Sequence, residues 1–592
     1  MKQFLIFCFM LFVATQINIS AQSYSQSELP DILRADYDSR IEFKDNLNIT
    51  CSRAGKGIKI LADDASNIIR RPYDVLSYDL NMDWTGPLTA TDVDSNNRFY
   101  FGRNLITVRI DSADLTEIEF DAVYIEIQKV EVNDILLDET PAVIDQIVTI
   151  PLPENTLSGD IVKIKISYKH IGTENTGFFL YKEGSVNEYF ETGDSSIVEA
   201  RLAYTMSEPM NARKWMPCND ASYDKAKASI SVMVPKEFNV ASNGLLQDII
   251  HFDDDNDIYV WSDTTQIATY LMSANASKFA EHTEYYHRVS NPEDSIPVSY
   301  YMWENDYQDT TEDESSYDAE FAYRNTVRMM EFFSEKYVEY PFNKYGHVTV
   351  QPFDYGGMEH QTLTTLIRSV IRKRHPDQSW SRDWNNQMII AHELAHQWLG
   401  DYITAATWND LWINEGGAVY SEVLWVGNDY GETGYNNHLA GKWRGYMYNW
   451  KGENVGLQRH AIYDAPYNNL FDYGITYCKA GWVYHMLSSM LGEEQFLTTL
   501  RGLMEAYKYQ SLETYQFRDY FKSQNPDPFI DFDTFFDQWI FNAGHPVYEL
   551  SGNSQWHEGS RWVMTLNVNQ VQEAAGKVLE VYQVPLTINF YH

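Results

Sequence analysis

Apolar and polar residues alternate at period two through four early stretches of the chain: "YDVLSYDLNMDW", "NLITVRIDS", "VYIEIQKVEV" and "DIVKIKISYKH". Successive strand side chains point to opposite faces, so this alternation predicts half-buried antiparallel sheet. "KASISVMVP", "IYVWSDT" and "ATYLMSA" add further strands, and residues 72–290 read as one β-rich domain. The acidic run "ENDYQDTTEDESS" reads as a solvated connection. Beyond it the period changes. "YDAEFAYRNTVRMMEFFSEKYV" has helical spacing, and "HVTVQPF" reads as a strand followed by Gly356-Gly357. Helices are then expected around 384–400, 414–426, 476–491 and 494–507, making 291–542 a second, α-rich domain. Strands return in "RWVMTLNVNQV" and "LEVYQVPLTINF". Residues 543–592 are thin for a self-sufficient sandwich, so this C-terminal β segment is expected to be incomplete. The fold class expected is multidomain α+β, without internal repeats.

Composition narrows the function classes. With 592 residues, 44% hydrophobic and 15% aromatic, the chain suits several packed domains rather than a disordered polymer. Its 84 acidic residues against 45 basic give a formal charge of −39. Nucleic acid is therefore an unexpected partner, because phosphate binding needs clustered Lys and Arg. The charge reads first as a solubility device and second as a field that draws cations. At the start, Lys2 precedes the apolar run Phe4–Ala14 and a small residue at Ala21. That is the pattern of a signal peptide over 1–21, followed by an irregular lead-in over 22–71. It implies export, to a periplasm or outside the cell, with no transmembrane segment after cleavage. Cys51, Cys218 and Cys478 are odd in number and lack metal-ligand spacing, so they form no disulfide framework.

One stretch carries the chemistry. "MIIAHELAHQWLGDY" puts His392 and His396 four apart on one helix face, where two imidazoles can hold one zinc ion. Glu393 stands beside the first histidine in an H-E-x-x-H arrangement, as general base toward a water. The competing reading is a pair of core histidines bonded to backbone carbonyls. Glu415 in "WNDLWINEGGAVYSEV" weighs against it. This carboxylate lies nineteen residues after His396 in a weakly charged helix, and ligation would offset the cost of burying it. A catalytic zinc takes three protein ligands and keeps one open position. Glu422, seven residues further on, returns to the same face and can bond a ligand histidine's free nitrogen. Upstream, "DYGGMEHQTLTT" follows a strand. Gly356 and Gly357 permit close backbone approach, and Glu359 can pair with an ammonium.

"GGMEH", "HELAH" and "NEGGA" at this spacing resemble the gluzincin zinc aminopeptidases, a family that includes membrane alanyl aminopeptidase, bacterial aminopeptidase N and a leukotriene hydrolase. The likeness covers roughly 72–550. The family fold would be a β saddle domain, a thermolysin-like catalytic domain and a further β sandwich. The resemblance implies one zinc per chain and a peptide substrate with a free N-terminus. "YTMSEPMNARKWMPCNDASYDKA" resembles the family's Glu-Pro segment and implies that Glu208 joins Glu359 on the substrate amine. "ITYCKAGWVYHML" resembles its Tyr-x-Lys-Gly segment and implies Tyr477 as oxyanion donor. Three residues depart from the pattern: His360 for Asn, Met206 for Gln and Ala480 for Gly. Tyr355 is expected to line the pocket for the first side chain. Two other readings stand beside an aminopeptidase: an endopeptidase of the same zinc class, which has no use for an ammonium trap, and a peptide-binding homologue without catalysis, which has no need of Glu393.

Overall fold

The structure is a computed structural model that describes residues 17–19 and 70–584, apart from 92–97, 189–194, 308–316, 373–380, 452–459, 558–560 and 575. The leader over 1–21 and the lead-in over 22–71 lie almost entirely outside the described residues.

The alternating stretches form an eight-stranded sheet. Its order is Leu245–His251, Asn256–Ile267, Ala226–Pro235, Tyr73–Asp83, Tyr100–Ile110, Ile161–His170, Ile125–Val132 and Ile135–Leu136. Along Tyr100–Ile110 every second residue is buried, which is what half-burial of a pleated strand demands. All pairs are antiparallel except one: Ala226–Pro235 runs parallel to Tyr73–Asp83. More than a hundred residues separate those two strands, so no hairpin constrains their direction. A four-stranded sheet of Gly177–Tyr181, Leu202–Met206, Ala274–Ser277 and Asn239–Ser242 packs alongside and delivers Glu208 just past its second strand. "ATYLMSA" departs from the expected strand: Thr269–Leu271 is a tight 3-10 turn, and the strand starts at Ala274.

A five-stranded sheet begins the second domain, in the order Phe279–His287, Ser295–Trp303, Tyr345–Val350, Thr364–Ile367 and Gly357–Met358. Its first hairpin, Phe279–His287 with Ser295–Trp303, spans residue 290. Helices follow: Ala319–Tyr323 and Thr326–Lys336 in place of one continuous helix, then Ser381–His396 with both histidines. The next helix, Trp412–Lys451, breaks at Gly431 (φ 68°, ψ −168°), a conformation that only glycine adopts freely. Sequence periodicity ended it near 426, because "GNDYGETGYNNHL" offers no clean apolar stripe. A π-helical segment, Tyr473–Lys479, precedes Ala480–Leu491. After 542 a hairpin of Tyr548–His557 and Arg561–Gln570 forms. Residues 579–584 of the expected last strand are irregular, and 585–590 lie outside the described residues.

Buried hydrogen bonds tie the two domains together. Lys225 Nζ donates to the Asp401 carbonyl (2.6 Å), Asn243 Nδ2 to the Gln361 carbonyl (2.7 Å), and Tyr204 Oη to the Pro352 carbonyl (2.8 Å). Asn414 Nδ2 reaches Tyr270 Oη at 3.0 Å. Tyr204 lies just before Glu208, and Pro352, Gln361, Asp401 and Asn414 lie close in sequence to Tyr355, Glu359, His396 and Glu415, so these bonds help set where Glu208 lies relative to the histidine helix. No described helix is long and apolar enough to cross a membrane.

The backbone at Gly431 gives a test. Gly431→Ala forces a Cβ into a glycine-only region and is expected to cost about 1–3 kcal/mol of stability, read as a lowered midpoint in urea.

Candidate metal centre

The histidine helix buries its chemistry completely: His392, Glu393 and His396 are all inaccessible or nearly so. His392 Nδ1 lies 2.8 Å from Glu422 Oε1, and His396 Nδ1 lies 2.9 Å from the Leu399 carbonyl oxygen. Both neighbours are acceptors, so both ring protons belong on Nδ1 and each Nε2 presents a lone pair. Those two Nε2 atoms are 3.1 Å apart and face Glu415 Oε2 at 3.2 and 3.4 Å. Three acceptors pointed at one another repel unless a cation sits between them. Donors about 2.0–2.1 Å from one tetrahedral ion lie roughly 3.3 Å from each other, so this triangle fits zinc. Among the described residues, His392, His396 and Glu415 form a group whose ligand atoms lie close enough together to hold one ion.

Electrostatics agree with that fit. Burial opposes charge on His392, yet with no metal bound the Glu415 and Glu422 carboxylates favour a second proton on the ring and hold the imidazole up at about 9. Burial likewise opposes charge on Glu415, but the His396 and His392 rings bring its carboxyl down to about 2. A field that favours a proton on the ring favours a divalent ion there, and metal binding releases such protons.

Local sequence explains the convergence. Glu415 sits in the first turn of its helix, where the backbone dipole favours a carboxylate. A Cβ on Gly416 would come within 2.8 Å of Ala480 Cβ, and one on Gly417 within 2.6 Å of Leu399 Cδ1. These two glycines let the Glu415 helix press against both the segment after Tyr477 and the loop after His396. Tyr477 Oη donates to Glu415 Oε1 at 3.1 Å, one side chain away from the triangle. Asp472 caps its π-helical turn by accepting from the Ile475 N–H at 2.9 Å. Such turns recur at functional sites.

The other candidates gather nearby. Gly357 pairs with Leu366 in the edge strand of the five-stranded sheet, and the Gly356 carbonyl accepts from the Ile367 N–H. A Cβ on Gly357 would fall 2.4 Å from Glu393 Oε1, so this strand lies directly on the Glu393 carboxylate. Glu208 and Glu359 are both buried, and one oxygen of each has no hydrogen-bond partner among the described residues. Burial, then Glu359, then Glu415 push the Glu208 carboxyl well above the usual range. Burial also raises Glu359, against the pull of His396. Tyr355 is raised by burial and then by Glu208, which puts it in the same neighbourhood. Glu422 does more than its spacing suggested. Its Oε2 also accepts from His438 Nε2 (2.9 Å) and Lys442 Nζ (2.6 Å), two residues that sequence reasoning missed. They lie beyond the break at Gly431, and no periodicity crosses such a break.

The family model of the peptidase M1 N-terminal domain matches residues 76–271, and that of the peptidase family M1 domain matches 321–539. This chain belongs to the M1 peptidase family. Rat aminopeptidase N is 30% identical to this M1 chain over 380 residues, 62% of the chain and 37% of that protein. Rat glutamyl aminopeptidase is 27% identical over 377 residues, 62% of the chain and 36% of that protein. The matched part thus spans little more than a third of these relatives. An M1 zinc metallopeptidase from Deinococcus radiodurans shares the fold, with a TM-score of 0.61 at 22% identity over 81% of this chain and 95% of its own.

The three residues that set this M1 chain apart from the pattern it resembles are all buried. His360 Nδ1 lies 2.8 Å from Thr365 Oγ1, and burial pulls its pKa down to about 3. Met206 ends a fully buried strand. Ala480 fills the space that Gly416 leaves open.

Gly357 supplies a test. Gly357→Val is expected to displace the Glu393 carboxylate, lowering kcat on any substrate by more than about 10-fold while zinc content stays at wild type. Metal analysis beside steady-state kinetics checks this.

Proposed function

We propose that the protein is a zinc-dependent aminopeptidase, removing the first residue from peptides with a free N-terminus. The observation that carries this reading is a pair of buried, incompletely bonded carboxylates, Glu208 and Glu359, beside a triangle of metal-ligating atoms. A carboxylate pair without a cation suits a substrate ammonium.

His392, His396 and Glu415 would hold the zinc. Bound there, zinc supplies Lewis acidity, which lowers the pKa of a water and polarises the scissile carbonyl. Glu393 accepts the proton that the attacking water loses and delivers it to the leaving amine. Tyr477 Oη, now donating to Glu415, turns its hydrogen bond to the oxyanion, a contact typically worth about 3–4 kcal/mol. Glu208 and Glu359 hold the α-ammonium and so set the cut one residue from the end. The edge strand at Gly356 and Gly357 takes the peptide backbone by strand addition. Tyr355 lines the pocket for the first side chain. The apolar leader at Phe4–Ala14 supports export, to a periplasm or outside the cell.

Aminoacyl-anilides, assayed with and without chelator and beside their N-acetylated forms, separate the readings. Cleavage of the free-amine substrates alone, abolished by chelation, is expected. Equal cleavage of acetylated substrates would point to an endopeptidase. Glu393→Gln is expected to lose about 10²–10⁴-fold in kcat with zinc retained; full activity in that variant would sink its role as base.

The raised carboxyls give a pH signature. Below its elevated pKa the Glu208 carboxyl is protonated and cannot pair with an ammonium, so ammonium binding releases protons. The Ki of a competitive amino-acid amide should therefore tighten as pH rises through that pKa. It should weaken again once the ligand's own α-amine, which ordinarily titrates at about 7.7–8.0, loses its proton. Glu208→Gln is expected to flatten the acidic limb.

A further inference from the structure

Three donors converge on Glu422, and they divide its two oxygens unequally. Oε1 faces His392 Nδ1 at 2.8 Å. Oε2 takes both His438 Nε2 at 2.9 Å and Lys442 Nζ at 2.6 Å. All four side chains are at least nearly nine-tenths buried, with exposures of 5% for His392 and Glu422 and 11% for His438 and Lys442. The backbone is shaped to bring them together. Gly431 turns the chain at φ 68°, so the two halves of the Trp412–Lys451 helix fold against each other. A Cβ on Gly434 would fall 2.5 Å from Tyr430 Cβ, and one on Gly427 would fall 3.0 Å from Tyr435 Cδ2. His438 and Lys442, four apart, then present one face of the second half to Glu422 on the first.

We propose that His438 and Lys442 are positioning residues for the metal: they clamp Glu422 by Oε2 so that Oε1 alone receives the His392 Nδ1 proton. The consequence is a choice of tautomer. With the proton held on Nδ1, His392 Nε2 keeps its lone pair for the ion. With Oε2 released, the carboxylate is free to rotate about its terminal bond, and the ring loses the fixed acceptor that orients it. Partners of this kind typically change metal affinity by about 10–100-fold. The geometry gives each donor a part. Lys442 supplies charge, and His438 supplies a directed N–H that sets the carboxylate plane.

The inference rests on the zinc reading above, and its test separates the two. Zinc affinity is measured on the apo protein by competition with a chromophoric chelator. The visible spectrum of the cobalt form and the melting temperature of the apo protein are read alongside. Lys442→Met and His438→Gln are each compared with wild type, alone and in a Glu422→Ala background. The expected result is about 10–100-fold weaker zinc binding in Lys442→Met and a smaller loss in His438→Gln. Both should shift the cobalt spectrum and leave the apo melting temperature near wild type. Neither should weaken binding further once Glu422 is Ala, because both act through it. Unchanged zinc affinity in the folded single variants would overturn the clamp. So would an equal loss in the Glu422→Ala background. If Lys442→Met does not fold, His438→Gln alone decides, by the same two comparisons. A wild-type protein that binds no zinc would overturn the zinc reading and the clamp with it; wild-type binding beside unaffected variants would overturn the clamp alone.

Discussion

Everything around the centre follows from one constraint: acceptors are buried together with too little positive charge to satisfy them. Two imidazole lone pairs and a Glu415 oxygen face one another within 3.4 Å. Glu208, Glu359 and Glu393 are buried in the same region, and the neighbours acting most strongly on Glu208 include Glu359, Glu415 and Glu393. Left alone, such a cluster would expand, protonate or admit water. A divalent ion between the three ligand atoms relieves part of this, and under the proposed function a substrate ammonium relieves the rest.

Holding like charges together needs a stiff frame, and the chain supplies it by close packing. The two glycines after Glu415 let its helix contact Ala480 and Leu399 without side chains between. Gly357 lays the sheet edge on Glu393. The Lys225, Asn243, Tyr204 and Asn414 bonds lock the β domain onto the domain that carries the metal triangle. Through them Glu208, which belongs to one domain, keeps a defined place beside the histidines of the other. The metal triangle and Glu208 thus come from different domains, and under the proposed function the interface between them is part of the site.

The M1 relatives named above run well beyond the part matched here, yet the metal triangle, the carboxylate pair and Tyr477 all lie inside the two segments that the family models match. Where this chain departs from the family pattern, the replacement is buried and packed. His360 bonds to Thr365, Met206 lies within a strand, and Ala480 meets Gly416.

By itself, the sequence determined whatever is written in local spacing. Period-two alternation marked the strands from Tyr73 to His170, because successive strand side chains face opposite ways. Four-residue spacing put His392 and His396 on one face, and seven-residue spacing returned Glu422 to the face of Glu415, because 3.6 residues make a turn. Family resemblance was needed to single out Tyr477 among 42 tyrosines, since nothing in its own segment distinguishes it. Periodicity ended the Glu415 helix near 426 and drew a strand through "ATYLMSA", where Gly431 and a tight turn at Thr269 break the local rule. Only the tertiary structure decided which imidazole nitrogens are left free, that Gly357 rests on Glu393, and that His438 and Lys442 grip Glu422. Those contacts join segments across a helix break, a sheet edge or a domain boundary, and chain spacing carries no periodic record of where two separately formed surfaces will meet.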